Sequence, residues 1–389
     1  MELPGWRPCN PCEADGFQER LSGNRRDGRI TAGMTLQERQ TSRVVRIAQI
    51  LLLSVALPGI TSAAPADLSA NPRVRTVLQF ISTLETRPER RMLSGQFTDF
   101  GDNGTLAILE RIHSETGHWP ALAGFDYVDF NHGGIASKSC NQAAIAWWRS
   151  GGLVTVGVHL YDPNDAHKRG QNNTEVDLAE LLRPTSPAHT AWMLEMDELA
   201  AGLQELRDAG VVVLWRPFHE MNGRVHFMGP GWFWWGAKDP AAFVKLWQLM
   251  FHYFTAEKHL DNLIWVYSPN QGSNADAYYP GDSFVDIVAL DAYTNEVDPP
   301  HINGYDALSR IRKPFAFGEF GPKARPLTGD FDYRRLVEGV KRFFPRAIFF
   351  MSWNAKWSLA ENKYAREALD DRWVVNRENL PLGLAGPIR

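Results

Sequence analysis

The chain has 389 residues, a formal net charge of −4, 44% hydrophobic residues and three cysteines. That length and apolar share suffice for a large buried core, and mild acidity without basic runs argues against a nucleic-acid binder. Two of the cysteines lie in the first twelve residues, leaving Cys140 alone in the rest, so a disulfide scaffold is excluded.

Residues 1–42 are rich in Arg, Gly and Pro and show no apolar period. Cys9 and Cys12 form a lone C-x-x-C without the second pair that a zinc site needs. Residues 43–66 read as a secretory leader. Arg43 and Arg46 supply the positive region, Ile47–Leu57 the apolar core, and Pro58-Gly59 the break. Ser62-Ala63-Ala64 or Ala64-Pro65-Ala66 offers the small residues for cleavage. The apolar core is too short to span a bilayer. Met34 lies just upstream of this leader, so residues 1–33 are expected to come from a misassigned start, with residues 67–389 forming the mature catalytic domain. The mature form is expected to be secreted or periplasmic, without a membrane anchor.

From residue 67 onward apolar strand patterns alternate with helical ones. The strands are predicted at Arg91–Phe97, Pro120–Tyr127, Leu153–Leu160, Val211–Phe218, Asn262–Tyr267, Val285–Leu290, Pro314–Phe320 and Ala347–Trp353. Helices are predicted at Thr105–Thr116, Ser139–Ser150, His189–Ala209, Pro240–Lys258, Tyr305–Ile311, Asp332–Phe343 and near Ala360–Asp371. Gly151–Gly152 and Gly210 stand where helix C-caps belong. Eight strands with intervening helices in this length predict an α/β chain folded as a single (β/α)8 TIM barrel. A doubly wound sheet is the alternative, but no glycine-rich phosphate loop follows the first strand.

In such a barrel, chemistry sits at the C-terminal ends of the strands. The fourth strand ends in V-V-V-L-W-R-P-F-H-E-M-N-G, Val211–Gly223. Pro217 lacks a backbone donor and should end the ladder. Beyond it Arg216, His219, Glu220 and Asn222 crowd the mouth of an apolar strand, where polar groups are costly unless paired. The seventh strand, P-F-A-F-G-E-F-G at Pro314–Gly321, carries Glu319 between two glycines where backbone or ligand can approach closely. The second strand end offers Asp126; the third, His159, Tyr161 and Asp162; the fifth, Tyr267, Ser268 and Asn270. The sixth offers Asp291 and Tyr293; the eighth, Trp353 and Asn354. Fourteen tryptophans, several near strand ends, suit the C–H faces of sugar rings as well as they suit a core.

Two carboxyls at one barrel mouth are what glycoside hydrolysis needs: one protonates the leaving oxygen, the other attacks or activates water. Arg216 and Tyr293 can hold one carboxylate charged, and two like charges close together raise the pKa of the other acid. The order of the residues leaves open whether the pair is retaining or inverting.

The W-R-P-F-H-E-M-N-G and F-G-E-F-G stretches, with V-H at 158–159, D-A-Y at 291–293 and S-W-N at 352–354, resemble glycoside hydrolase family 26, known for β-mannanases. The resemblance implies a retaining double displacement with Glu220 as acid/base and Glu319 as nucleophile. It implies that His219, Arg216 and Tyr293 orient the carboxylates and that Trp353 lies under the sugar. It further implies that His159, Asp291 and Asn222 bind sugar and that Trp232 and Trp234 line the leaving-group side. No cofactor and no metal is implied; the partner is a polysaccharide or oligosaccharide. Two positions depart from the mannanase pattern: no Trp adjoins His159 in G-V-H-L-Y-D-P-N, and Tyr267 opens Y-S-P-N where Trp is usual. Mixed-linkage β-glucan, β-1,3-xylan and a bacterial exopolysaccharide therefore stand beside β-1,4-mannan as substrates. His219-Glu220 lacks the second histidine of a zinc-protease motif, and Asp162, Asn164 and Asp165 lack the spacing of a calcium loop. A barrel that only binds polysaccharide is the reading of another class; the presence of both glutamates argues against it.

Overall fold

The computed structural model describes residues 64–386 except 130–132, 166–174, 225–228 and 324–328. The readings of residues 1–42 and of the leader fall outside these, apart from Ala64–Ala66. Ten parallel-paired strands run β1 (Met92–Leu93), β2 (Gly95–Phe100), β3 (Leu122–Asp126), β4 (Leu153–Gly157), β5 (Val213–Arg216), β6 (Leu263–Tyr267), β7 (Ile287–Tyr293), β8 (Phe315–Gly321), β9 (Ala347–Ser352) and β10 (Val374–Val375). Strands β2 to β9 pair in order, and Gln96 opposite Ser352 joins β9 to β2, closing the eight-stranded barrel. The first predicted strand is interrupted at Ser94, so β1 splits off and pairs β9 and β10 at the rim. β5 stops at Arg216, as Pro217 requires.

Apolar residues from every strand are buried, from Val154 and Val156 through Leu214 and Ile264 to Phe350. The eight strands are therefore buried on both faces, as parallel sheets covered by helices are. The outer layer comprises α1 (Pro72–Thr83), α2 (Ala107–Thr116), α3 (Ser137–Arg149), α4 (Leu178–Leu181), α5 (Pro187–Asp208), α6 (Pro240–His252), α7 (Tyr305–Ser309), α8 (Arg334–Phe343) and α9 (Ala365–Leu369). α5 starts where Ser186 accepts the His189 N–H, and α6 where Asp239 accepts that of Ala242, each with Pro in the first turn. No helix is predicted over residues 72–83, yet α1 has a signal: Asn71 caps it and Val74, Val77, Leu78 and Ile81 form one buried stripe. The predicted helix near 360–371 shortens to α9.

At the barrel's N-terminal end, His118 bridges two segments. Its Nδ1 meets Glu378 and its Nε2 meets Asp370, at 2.5 and 2.7 Å. Partial burial disfavours the imidazolium, but the hydrogen bonds it donates to Glu378 and Asp370 outweigh that, and the pKa is raised. A raised histidine pKa contributes stability below its unfolded value and loses it as pH rises through the folded one. His118→Gln is therefore expected to lower Tm more at pH 5.5 than at pH 9; equal losses at both would show that the clamp carries no charge. No helix among the described residues is long and apolar enough to cross a membrane.

Candidate active site

Three carboxylates converge inside the C-terminal mouth: Glu220 just after β5, Asp291 on β7 and Glu319 on β8. One oxygen from each lies within 4.8 Å of the others. Arg216 spans two of them. Its Nη1 donates to Asp291 Oδ2 at 3.0 Å, and its Nη2 donates to Glu319 Oε1. The hydroxyl of Tyr293 donates to Glu319 Oε2 at 2.6 Å. Both oxygens of Glu319 therefore accept a hydrogen bond. Asp291 is completed by Ser268 Oγ at 2.6 Å. Burial works against the Arg216 charge, but Glu319 and Asp291 outweigh it and hold the guanidinium firmly protonated.

Glu220 is held differently. Among the described residues no cation lies within ion-pair distance of it. Burial, then the charges of Glu319 and Asp291, push its pKa well above the usual carboxylate range against the smaller pull of Arg216. A carboxyl pushed toward its protonated form thus stands beside one whose two oxygens both accept hydrogen bonds, an asymmetry of the kind that separates proton donor from nucleophile. With an oxygen of each within 4.8 Å of the other, the pair stands nearer the roughly 5–5.5 Å separation of retaining enzymes than the roughly 6.5–9.5 Å of inverting ones.

A bulge aims Glu319. Leu290 pairs with Phe317, but the next residue of β7, Asp291, pairs with Glu319, so Gly318 is the extra residue. Phe315 and Phe317 face the helices, with Phe317 5.6 Å from Phe344. Strict alternation would send residue 319 the same way; the extra residue turns it inward. Gly318 is obligatory, because a Cβ there would stand 2.2 Å from Ser268 Oγ and 2.7 Å from Asp291 Oδ1. What approaches these glycines closely is the protein's own Ser268–Asp291 pair and, at Gly321, Trp357 and Tyr293.

Glu220 is aimed by a strained turn. Phe218 and Glu220 have φ of 51° and 53°, a left-handed region that costs a non-glycine residue roughly 1–3 kcal/mol. The Glu220 N–H donates to the Ser268 carbonyl at 2.8 Å, and the Gly223 N–H donates to the Glu220 carbonyl at the same distance.

Several expected roles change. His219 does not orient a carboxylate: its Nε2 meets His159 Nε2 at 3.2 Å, and its Nδ1 is buried without a partner. Burial, then Arg216 and His159, push its pKa well down and keep it neutral. His159 has both ring nitrogens engaged, Nδ1 with Asp126 Oδ2 at 2.7 Å, so it anchors His219 and is not free for a sugar hydroxyl. Asp126 was offered by a strand end but given no role. Asp291 is fully buried with both oxygens used, so it braces Arg216 and cannot reach sugar. Asn222 donates to the Asn270 carbonyl at 2.8 Å and Asn274 Oδ1 at 3.2 Å, and accepts the Asn270 N–H, so it pins the loop after β6. Trp234 is fully buried against Trp192 and Phe218 and cannot line a cleft. Trp232 is buried too, its ring packed where a Cβ on Gly223 would stand 2.4 Å away. Trp353 packs against Phe97 and Phe100 at 4.7 and 5.7 Å, with His159 at 5.9 Å.

The two departures noted in the sequence do not reach the site. Leu160 and Tyr267 are fully buried, and the Tyr267 hydroxyl donates to the Ala275 carbonyl at 2.7 Å. As for metals, the three carboxylates are the one group of three potential ligands among the described residues. Arg216 already supplies their countercharge.

The family model described as Glycosyl hydrolase family 26 matches residues 67–379. A mannan endo-1,4-β-mannosidase A and B of Caldalkalibacillus mannanilyticus is 37% identical over 344 residues, covering 84% of this chain, which spans 64% of that longer protein. A mannan endo-1,4-β-mannosidase of Bacillus subtilis strain 168 is 37% identical over 335 residues, covering 81% of this chain and 89% of its own. The structure of a Bacillus subtilis mannanase superposes with a TM-score of 0.76 at 35% identity, covering 84% of this chain and 99% of that one.

Proposed function

The chain belongs to glycosyl hydrolase family 26, and from that membership we propose that it is an endo-acting retaining hydrolase of β-1,4-mannan with Glu220 as acid/base and Glu319 as nucleophile. The observation that carries the reading is the asymmetry of two neighbouring carboxyls. Glu319 takes donors from Arg216 and Tyr293 on its two oxygens, while Glu220 has burial and two like charges against ionisation. In the first step Glu220 gives its proton to the glycosidic oxygen as Glu319 attacks the anomeric carbon, forming a glycosyl-enzyme. In the second, Glu220, now ionised, takes a proton from water, which displaces Glu319. Trp353 and Trp232 remain as the platform and leaving-group-side aromatics.

Mannan is favoured over mixed-linkage β-glucan and β-1,3-xylan by the mannanases among the relatives and by the burial of Leu160 and Tyr267, which removes the two departures from the sugar's reach. Reducing-sugar release from mannan, glucomannan, mixed-linkage glucan and β-1,3-xylan tests this. Mannan and glucomannan should be cleaved fastest, and release from β-1,3-xylan alone would overturn the assignment. Glu220→Ala should cut kcat/KM on mannan by about 10²–10⁴-fold, and spare formation of the glycosyl-enzyme from a dinitrophenyl mannobioside, whose leaving group needs no proton. The alkaline limb of the wild-type kcat/KM profile reports loss of the Glu220 proton, so it should vanish in this variant.

The leader reading stands with this proposal: residues 43–66 direct secretion and the catalytic domain starts near residue 67, where the family match also starts. N-terminal sequencing of the secreted protein checks it; a mature chain still carrying residues 43–57 would refute it.

A further inference from the structure

The turn that presents Glu220 is held from behind at nearly every residue. Phe218, fully buried, sits in a box of Trp192, Trp234, Trp235, Phe243 and Trp247 with ring centroids 5.9 to 6.4 Å away. Trp235 Nε1 donates to the His219 carbonyl at 2.9 Å, and the Ala237 N–H donates to the Met221 carbonyl at 2.8 Å. Trp234 and Trp235 both come from the G-W-F-W-W-G loop, Gly231–Gly236. Phe233 of the same loop stacks on Trp235 at 4.5 Å.

Strand termination alone does not call for this. Pro217 already ends β5, and an ordinary turn would need no left-handed residue. Here two non-glycine residues within three positions take positive φ, and they flank His219 and end on the carboxylate. Strain of this kind persists only where the surroundings over-determine it.

On the reading that Glu220 is the proton donor, we propose that Phe218 and Trp235 are positioning residues: the ring in its box and the indole N–H on the His219 carbonyl hold the left-handed turn that points Glu220 at the bond cleaved above Glu319. The tryptophan-rich loop thus serves the acid/base from the core side. Neither residue touches the sugar; both act through the backbone of residues 218–220.

The test uses the leaving group. Trp235→Phe removes the indole donor and keeps an aromatic ring; Phe218→Leu loosens the box. Both are assayed on mannan and on dinitrophenyl mannobioside, with the folded fraction measured by circular dichroism. Trp235→Phe should lower kcat/KM on mannan about 10- to 100-fold, as a displacement of around 1 Å does. On the dinitrophenyl substrate the fall should stay below about threefold, since protonation contributes little there. The alkaline limb of its pH profile should also move. Equal losses on the two substrates, or none on either, would overturn the positioning role. Phe218→Leu should repeat the split if it folds; if it does not, Trp235→Phe decides. Glu220→Ala runs beside them: if it lacks the split, the proton-donor reading itself fails, whereas a split in Glu220→Ala alone refutes only the positioning.

Discussion

Glu319→Ala is expected to abolish turnover on every substrate, mannan and dinitrophenyl mannobioside alike, by more than about 10⁴-fold, on the scale of removing a covalent nucleophile. No glycosyl-enzyme can form without it, so a good leaving group gives no rescue. That distinguishes it from Glu220→Ala. The fold should survive, because the alanine removes one of three crowded acids and leaves Arg216 paired with Asp291. An active Glu319→Ala protein, at even a few percent of wild-type rate on the aryl substrate, would end the nucleophile assignment.

Arg216→Met should have the largest effect on the protein itself. Arg216 is the charge partner of both Asp291 and Glu319 and is itself 1% exposed. Its loss leaves three buried carboxyls within 4.8 Å of one another with no cation among them. Breaking a buried pair from one side costs about 3–5 kcal/mol, a Tm loss on the order of 10 °C. The sign with pH follows from linkage. Burial already raises the pKa values of Glu220 and Asp291 above the usual carboxylate range against the pull of Arg216; without the guanidinium they rise further, so the folded state binds more protons and stability falls as pH rises. The Tm deficit of Arg216→Met should therefore be wider at pH 8 than at pH 5. Activity should fall too, because Glu319 loses one of the two donors that hold its carboxylate in place. Parallel Tm curves for variant and wild type across that range would show that Arg216 does not set the charge of the cluster.

The barrel was legible because its strands are short apolar runs separated by capped helical patterns, a signal that survives without knowing any contact. Glu220, Glu319, Arg216 and Tyr293 were legible for a related reason. Polar groups at the end of an apolar strand must find partners, and the strand order of a barrel brings ends four, six and seven to one mouth. What the sequence hid is which side of a residue faces what. Trp234 and Trp232 sit two positions apart in one loop, yet one packs on Trp192 and Phe218 and the other on Gly223. Asp291 reads as a sugar ligand until Ser268 and Arg216 are seen to consume its oxygens. His219 follows the same logic: next to Glu220 in sequence, it turns away to His159, which Asp126 holds in turn. α1 was missed although Asn71-Pro72 and its apolar stripe announce it, because it precedes the first strand and lies outside the repeating pattern.

The extra residue at 318 has a consequence for how such chains are compared. Odd and even positions of β8 exchange sides there, so the rule that reads Phe315 and Phe317 as outward gives the wrong side for Glu319. Threading this segment onto a strand with unbroken parity would turn Glu319 to the helix side, the side on which Phe317 meets Phe344. Deleting Gly318, by contrast, would make Glu319 the direct successor of Phe317 and leave its carboxyl on the inward side, opposite Asp291.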